Sequence, residues 1–382
     1  MTARIALVGL AGLASAMGVG RFAFTPLLPL MQDAGTLTLA QGGTLARANY
    51  LGYLVGAVLC MALNPSPGRS ARLALVGVAA FTAGMGMTAS FPLWIALRFL
   101  AGLASAFVLV GVSACILPLL AARGRGGWAG RVYSGVGIGI VVCGLIGLTS
   151  GVRRISPDTT WLILAGGSAV VAILGWSTLG REPPVAAVPR VVARLPGGIW
   201  RLVLAYGAFG FGYIVPATFL PAAARQVVPD PAVFAWTWPL FGLAAAISTV
   251  AVSRWFRDLP PRTLWAGAQV VMALGVLAPA LRMTVSTLLW CAVWVGGTFM
   301  VLTMTGIQEA RRVAGAAAPR LMAAMTAAFA VGQLVGPFTV TSLGSSGVAV
   351  PHAIAAAVLL LGLAVLVAAP ALTPSFETGG PT

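Results

Sequence analysis

Arg21 is the side chain of this sequence with the clearest chemical potential, because it interrupts an apolar run that extends from beyond Arg4 to Gln32. A run of this length spans a lipid bilayer as a helix. A charge at that depth costs about 2.5–3.5 kcal/mol unless it faces a partner or a water-filled cavity, and a guanidinium cannot lose its proton to escape that cost. Arg21 is therefore predicted to line a polar path, where its planar fork suits an anionic group. The alternative is that it binds groups of a neighbouring helix and only stabilises packing.

Other polar and aromatic side chains inside apolar runs extend this candidate site. Thr25 shares a helical face with Arg21, and Tyr53 shares one with Asn49, since each pair is four positions apart. Tyr213 follows Arg21 by the offset of a faint internal repeat and is expected to face the same cavity. Each of these residues also has a structural alternative, such as a contact between helices or an interfacial position. The predicted substrate-binding set is Arg21, Thr25, Asn49, Tyr53, Arg98, Tyr206, Tyr213, Trp238 and Gln333.

The seven acidic residues are informative because none lies deep in an apolar run. A buried carboxylate is the group that a cation pocket or a proton relay within a membrane commonly needs. A cationic ligand is therefore not expected. Glu309, near the end of an apolar run, is the best candidate for a proton carrier. The alternative for Glu309 is an ion pair with Arg311 or Arg312.

The amino-acid composition is typical of an integral membrane protein. Of its 382 residues 59% are hydrophobic and only 8% are charged, and the mean hydropathy is +0.98. A soluble domain carries about 25% charged residues. The net charge of +16 comes from arginines that lie singly or in small groups between apolar runs, which disfavours nucleic acid as a partner. The four scattered cysteines and the lone His352 form no metal motif or disulfide pattern, so no cofactor is predicted.

The apolar runs predict an all-α integral membrane protein of twelve transmembrane helices in two six-helix bundles. Most arginines fall in alternate connecting segments, which predicts cytoplasmic N- and C-termini by the positive-inside rule. The predicted divisions are an N-terminal bundle at residues 1–180, a cytoplasmic linker at 181–198, a C-terminal bundle at 199–370 and a cytoplasmic tail at 371–382. Faint matches between the halves, such as Gly18 with Gly210 and Pro29 with Pro221, support two related bundles.

Several segments resemble the major facilitator superfamily of secondary transporters. LWIALRFLAGLA, which contains Arg98 and Gly102, looks like the superfamily's fourth-helix motif. GVGRFAFTPLLPLMQ, ANYLGYLVGA and GQLVGP resemble a poorly characterised bacterial branch. The loop NPSPGRSAR keeps a Gly-Arg pair of the superfamily's inner-gate motif but has no Asp, and SRWFRDLPPR offers Asp258 in its place.

This resemblance implies a central cavity between two bundles that rock to alternate its access. It implies a monomer in the bacterial inner membrane that moves a small-molecule substrate, with proton coupling left open. Arg98, Asp258 and Glu309 would then be the proton-coupling or gate residues. The first hypothesis is transport of an anionic or amphipathic organic solute. The alternatives are an efflux pump for neutral hydrophobic compounds and a membrane sensor without transport. No catalytic set suggests an enzyme.

Overall fold

The computed structural model describes residues 2–63, 65–180, 198–228, 230, 235–256, 258–343 and 349–368, and this part of the chain is helical and contains no strand. All but the last residue of the predicted linker at 181–198, and all of the predicted tail at 371–382, lie outside these residues. The long helices are α1 (Thr2–Asp33), α2 (Leu39–Leu63), α3 (Pro67–Met87), α4 (Phe91–Ala121), α5 (Ala129–Arg153), α6 (Pro157–Leu179), α7 (Trp200–Val227), α8 (Thr237–Trp255), α9 (Pro261–Leu281), α10 (Val285–Ala314), α11 (Ala318–Ser342) and α12 (Ala349–Ala368).

Ten of these helices are long and apolar enough to cross a membrane. This confirms a multi-pass, all-α membrane protein, whereas the predicted number of twelve spans is not confirmed. The other two helices, α2 and α8, are long enough but carry more polar side chains, among them Arg47 and Asn49 in α2 and Arg254 in α8. Polar residues in a helix packed inside a bundle lower its hydropathy without preventing it from spanning.

The helix pairs of the first half recur in the second half. In the first half α1 packs against α5, α2 against α4, and α3 against both α4 and α6. Six helices later, α7 packs against α11, α8 against α10, and α9 against both α10 and α12. Contacts between the halves follow the same rule, because α5 packs on α8 as α11 packs on α2. The domain boundaries themselves stay a prediction.

The centre of α1 is not an ordinary α-helix. Residues Ala14–Phe22 form a π-helical segment, and Phe24–Asp33 returns to α-helix with Pro29 inside it. A π-helical turn changes the hydrogen bonding of the backbone and is frequent at functional sites. Gly18 lies in this segment directly against the backbone of Gly139 in α5. The absence of a side chain at both positions allows this contact.

Candidate functional site

Helices α1 and α7 meet at equivalent positions of the repeat. The Thr25 hydroxyl donates to the Ala217 carbonyl at 2.9 Å, and an Arg21 nitrogen lies 3.5 Å from the Tyr213 hydroxyl. Further along the two helices, Arg225 forms an ion pair with Asp33. Each of these pairs joins residues 192 positions apart, the offset of the sequence repeat. The two helices therefore cross on the pseudo-two-fold axis that relates the halves.

Arg21 lies at this crossing among aromatic rings. Its side chain is 3% exposed, and its guanidinium carbon lies 4.0 Å from the centre of the Tyr53 ring. The rings of Tyr50 and Phe22 are 5.5 and 5.3 Å away. Within the described part of the chain, Arg21 forms no ion pair, and its Nε has no hydrogen-bond partner. The positive charge is stabilised by ring faces rather than by a carboxylate.

Tyr213 connects Arg21 to helix α11. Its hydroxyl accepts a hydrogen bond from the Gln333 amide in addition to its long contact with Arg21. Its ring is stacked between Phe299 of α10, at 5.8 Å between centres, and Phe329 of α11, at 5.5 Å. The structure thus brings the predicted residues Arg21, Tyr213 and Gln333 together. Packing on both ring faces fixes the orientation of the hydroxyl.

An aromatic cluster continues from Tyr213 in two directions. Tyr206 contacts Phe329 at 5.4 Å on one side. On the other side Phe299 contacts Phe22 at 6.1 Å, and Phe22 contacts Trp238 at 6.2 Å. The predicted residues Tyr206 and Trp238 therefore belong to the same cluster as Arg21. This cluster offers flat apolar faces beside one buried charge.

The side chains of Arg98 and Asn49 donate hydrogen bonds to the backbone of α1 and do not contact the Arg21 guanidinium in these bonds. The Arg98 guanidinium donates to the Gly20 carbonyl at 3.4 Å and to the Arg21 carbonyl at 3.0 Å. The Asn49 amide donates to the same Gly20 carbonyl at 3.1 Å and to the Arg98 carbonyl at 2.8 Å. These donors satisfy carbonyls of the π-helical segment, which would otherwise be costly to bury. Arg98 and Asn49 thus hold Arg21 in place, and their predicted contact with a substrate stays untested.

Gly102 explains the spacing of the fourth-helix motif in physical terms. A side-chain carbon at this position would lie 2.9 Å from the Asn49 carbonyl carbon and 3.0 Å from the Tyr53 nitrogen. Only glycine lets α4 approach α2 this closely. Since Arg98 is one helical turn away, the motif brings the Arg98 guanidinium within reach of α1.

Two further predicted residues lie apart from this cluster. Glu309 is fully buried and accepts two hydrogen bonds from Arg312, at 2.8 and 2.7 Å. This contact is an ion pair with Arg312, one of the two partners that the sequence offered as the alternative role of Glu309. Asp258 is exposed in the segment between α8 and α9. Their roles in a gate or in proton coupling stay predictions.

Sequence reasoning left several residues of this region outside the candidate set. Tyr50 contributes a ring to Arg21 and shares a hydrogen bond of 2.7 Å with Thr218 across the two halves. Phe22, Phe299 and Phe329 supply the stacking faces. Phe22 and Tyr50 could have been predicted, because they directly follow the candidate residues Arg21 and Asn49 in the sequence. Phe299 and Phe329 could not have been predicted, since phenylalanine is common in membrane helices.

Four buried polar atoms around the cluster lack partners among the described residues. They are Arg21 Nε, Asn49 Oδ1, Trp238 Nε1 and Gln333 Oε1. Buried polar atoms are nearly always hydrogen-bonded in folded proteins. Two donors and two acceptors, left open beside aromatic faces, are what a small polar-aromatic molecule would satisfy.

Comparison with known proteins agrees with this architecture. The human organic anion transporter MFSD10 (TETRAN) has a crystal structure that matches with a TM-score of 0.67 at 15% identity, over 96% of this chain and 99% of that one, which shows the fold. A "Chloramphenicol resistance protein" from Streptomyces lividans is 29% identical over 385 residues, 93% of each chain. The family model described as "Uncharacterised MFS-type transporter YbfB" matches residues 13–367. Because that match covers most of the chain, this protein belongs to the family of MFS-type transporters described by YbfB and is not an enzyme.

Proposed function

We propose that the protein is a secondary active transporter that moves a small organic anion with an apolar or aromatic body across the bacterial inner membrane. All twelve long helices cross the bilayer in this proposal, with the N- and C-termini in the cytoplasm, and the protein acts as a monomer by alternating access. Arg21 anchors the anionic group. The cluster around Tyr213 holds the apolar body.

The observation that carries this proposal is the state of Arg21. Its charge is buried on the axis between the halves, forms no ion pair with any described residue and retains an open Nε. A buried cation without a counter-ion is costly, and an anionic ligand would offset that cost. The described acids lie at helix ends or in connecting segments, so none of them supplies a competing carboxylate at this depth.

A charge-matched pair of ligands tests this proposal. Benzoate and benzamide have nearly the same shape, but only benzoate is an anion. A ligand that binds the folded protein raises its apparent melting temperature. We expect benzoate, and not benzamide, to stabilise the purified protein and to be taken up by proteoliposomes in a saturable way.

The matched variants are Arg21→Gln and Arg47→Gln. Arg47 is also in a membrane helix, but its guanidinium donates to the neighbouring Thr44 hydroxyl at 3.0 Å and lies outside the cluster. Arg21→Gln should abolish the benzoate effect, whereas Arg47→Gln should keep it. Equal stabilisation by the two ligands, or an unchanged benzoate effect in folded Arg21→Gln, would contradict the anion site.

The relative from Streptomyces lividans favours a second function, the efflux of a neutral amphipathic drug. Aromatic faces and open hydrogen-bonding atoms suit such a molecule as well. Expression in a susceptible bacterial host should then raise tolerance to chloramphenicol. Tolerance that survives Arg21→Gln but is lost in Trp238→Ala would support this second function over the first.

A further inference from the structure

A groove on the membrane-facing side of the first half is separate from the Arg21 cluster. It lies between α1, α5 and α6 and has a volume of about 280 Å³. Small residues on the three helices line it: Ala14, Ser15, Gly139 and Ser168 form its floor, and Gly167 is exposed. Exposed apolar side chains, among them Ile138, Val142 and Ile163, form its rim. We call it the serine groove.

The groove exists because side chains are missing where helices would otherwise fill it. A side-chain carbon added at Gly167 would meet nothing within 4 Å. By contrast, Gly139 lies against the Ala14 backbone and closes the floor. The result is a recess that opens sideways towards the bilayer.

Two serines that line this recess have buried hydroxyls without partners among the described residues. Ser15 is 3% exposed and Ser168 is fully buried, and both line the groove. Within the described part of the chain, neither hydroxyl has a hydrogen-bond partner. A serine inside a membrane helix ordinarily bonds its own helix or a neighbour. Ser105 of α4 does so, since its hydroxyl donates to the Ala16 and Ala101 carbonyls at 2.7 Å.

The position of these hydroxyls limits what could pair with them. Ser15 and Ser168 are near the middle of their helices, so the groove lies at the depth of the hydrocarbon core. An acyl chain would fill the space but leave both hydroxyls unpaired, which is costly in lipid. A charged ligand would bear the larger cost of a charge at that depth. The remaining chemistry is a neutral molecule with an apolar body and a hydroxyl or carbonyl group.

We propose that the serine groove is a binding site for neutral amphipathic molecules that enter from the bilayer. Ser15 and Ser168 recognise the polar group, and the exposed rim of α5 and α6 contacts the apolar body. The site is independent of the proposed anion site, because Ser15 faces α5 and α6 whereas Arg21 contacts Tyr213 of α7.

A second groove on the same half serves as an internal control for the binding experiment. It has a volume of about 480 Å³ and lies between α3 and α6, and we call it the alanine groove. Its lining, which includes no serine, is Val76, Ala79, Ala169, Ala172, Ile173 and Trp176. Partition of an apolar molecule by volume alone would favour the alanine groove.

Photolabelling of the full-length protein in lipid nanodiscs compares the two grooves directly. The probes are octanol that carries a diazirine and the corresponding octane diazirine without a hydroxyl. Two hydrogen bonds of the strength found between membrane helices predict roughly a five- to tenfold preference. We therefore expect the alcohol to label the serine groove that much more than the alanine groove, and excess octanol to displace it. The alkane should show no such preference.

Variants distinguish the effect of the serine hydroxyls from the effect of the groove volume. The double variant Ser15→Ala, Ser168→Ala keeps the recess and should remove the preference of the alcohol. Gly167→Leu should fill the recess and remove all label from it, while Arg21→Gln should leave the labelling unchanged. Equal labelling of both grooves by the alcohol in the unmodified protein, or equal preference of alcohol and alkane, would overturn the proposal without reliance on any variant.

Discussion

At the scale of single residues, the structure assigns different tasks to polar side chains that look alike in the sequence. Arg21 and Arg98 are both buried arginines, yet Arg98 donates to two carbonyls of α1 while Arg21 rests on aromatic rings. Asn49 belongs with Arg98, because its amide also binds α1. Arg98 and Asn49 therefore position the backbone that carries Arg21, and their effect on transport would be indirect.

Replacement of Asn49 tests this positioning role. Asn49→Leu removes both donors that reach the Gly20 and Arg98 carbonyls, and the loss should lower the free energy of unfolding by about 1–2 kcal/mol. Leu51 on the same helix is 43% exposed, so Leu51→Ala should change it by less than about 0.5 kcal/mol. Denaturation in mixed detergent micelles measures both. An Asn49→Leu variant as stable as the Leu51→Ala control would mean that the amide contributes nothing to the fold.

At the scale of helices, close backbone contact decides how the elements pack. Gly18 of α1 meets Gly139 of α5, and Gly332 of α11 meets the Gly207 and Gly210 backbone of α7. Association of membrane helices depends on such contacts, since lipid provides no hydrophobic force between them. These glycines are thus explained by packing, which positions the helices that carry the polar residues.

Gly18→Val tests the contact between α1 and α5. Any side chain at this position would collide with the Gly139 backbone, which cannot move aside as a flexible side chain could. We expect a loss of roughly 1–3 kcal/mol in stability, the usual cost of overpacking, or a failure to fold. Gly166 in α6 faces open space, so Gly166→Ala should be neutral or stabilising by up to about 1 kcal/mol. The melting temperatures of the two variants are measured in the same detergent. A Gly18→Val protein with the same melting temperature as the Gly166→Ala protein would contradict this packing.

At the scale of the whole molecule, the halves are fastened to each other along α1 and α7. The contacts run from Arg21 and Tyr213 through Thr25 and Ala217 to the ion pair of Asp33 with Arg225. If the proposed alternating access holds, these contacts must separate when the other conformation forms. The ion pair is the most accessible of them, with both side chains partly exposed.

Breaking this ion pair should favour the conformation that is open at this end. An exposed pair contributes about 0.2–1 kcal/mol, so Arg225→Gln should raise the open population by a factor of up to about five. A cysteine at the buried Ala223 position reports the opening through its rate of reaction with a membrane-impermeant maleimide. The four native cysteines are buried, and the parent protein without Ala223→Cys gives the background. The exchange of charges, Asp33→Arg with Arg225→Asp, should restore the slow rate; no change of rate in Arg225→Gln would refute a gating role.

The sequence alone determined the solvent, the fold class and the central position of Arg21. Hydropathy and length are local properties, and a charge inside an apolar run carries its own energetic cost wherever the helix packs. The repeat offset also predicted that Tyr213 faces the same cavity as Arg21, because related helices occupy related positions about the pseudo-two-fold axis. The structure places the Arg21 and Tyr213 side chains in contact, and their part in a substrate site stays a prediction.

Only the tertiary structure decided which partners the polar groups choose. The hydroxyl of Thr25 binds Ala217, and Glu309 pairs with Arg312, although the sequence left other partners open. The π-helical turn of α1, the rings of Phe299 and Phe329 against Tyr213, and the recess at Ser15 and Ser168 had no pattern that identified them. Each depends on how closely helices that are distant in sequence approach one another, and periodicity within a single helix carries no information about that distance.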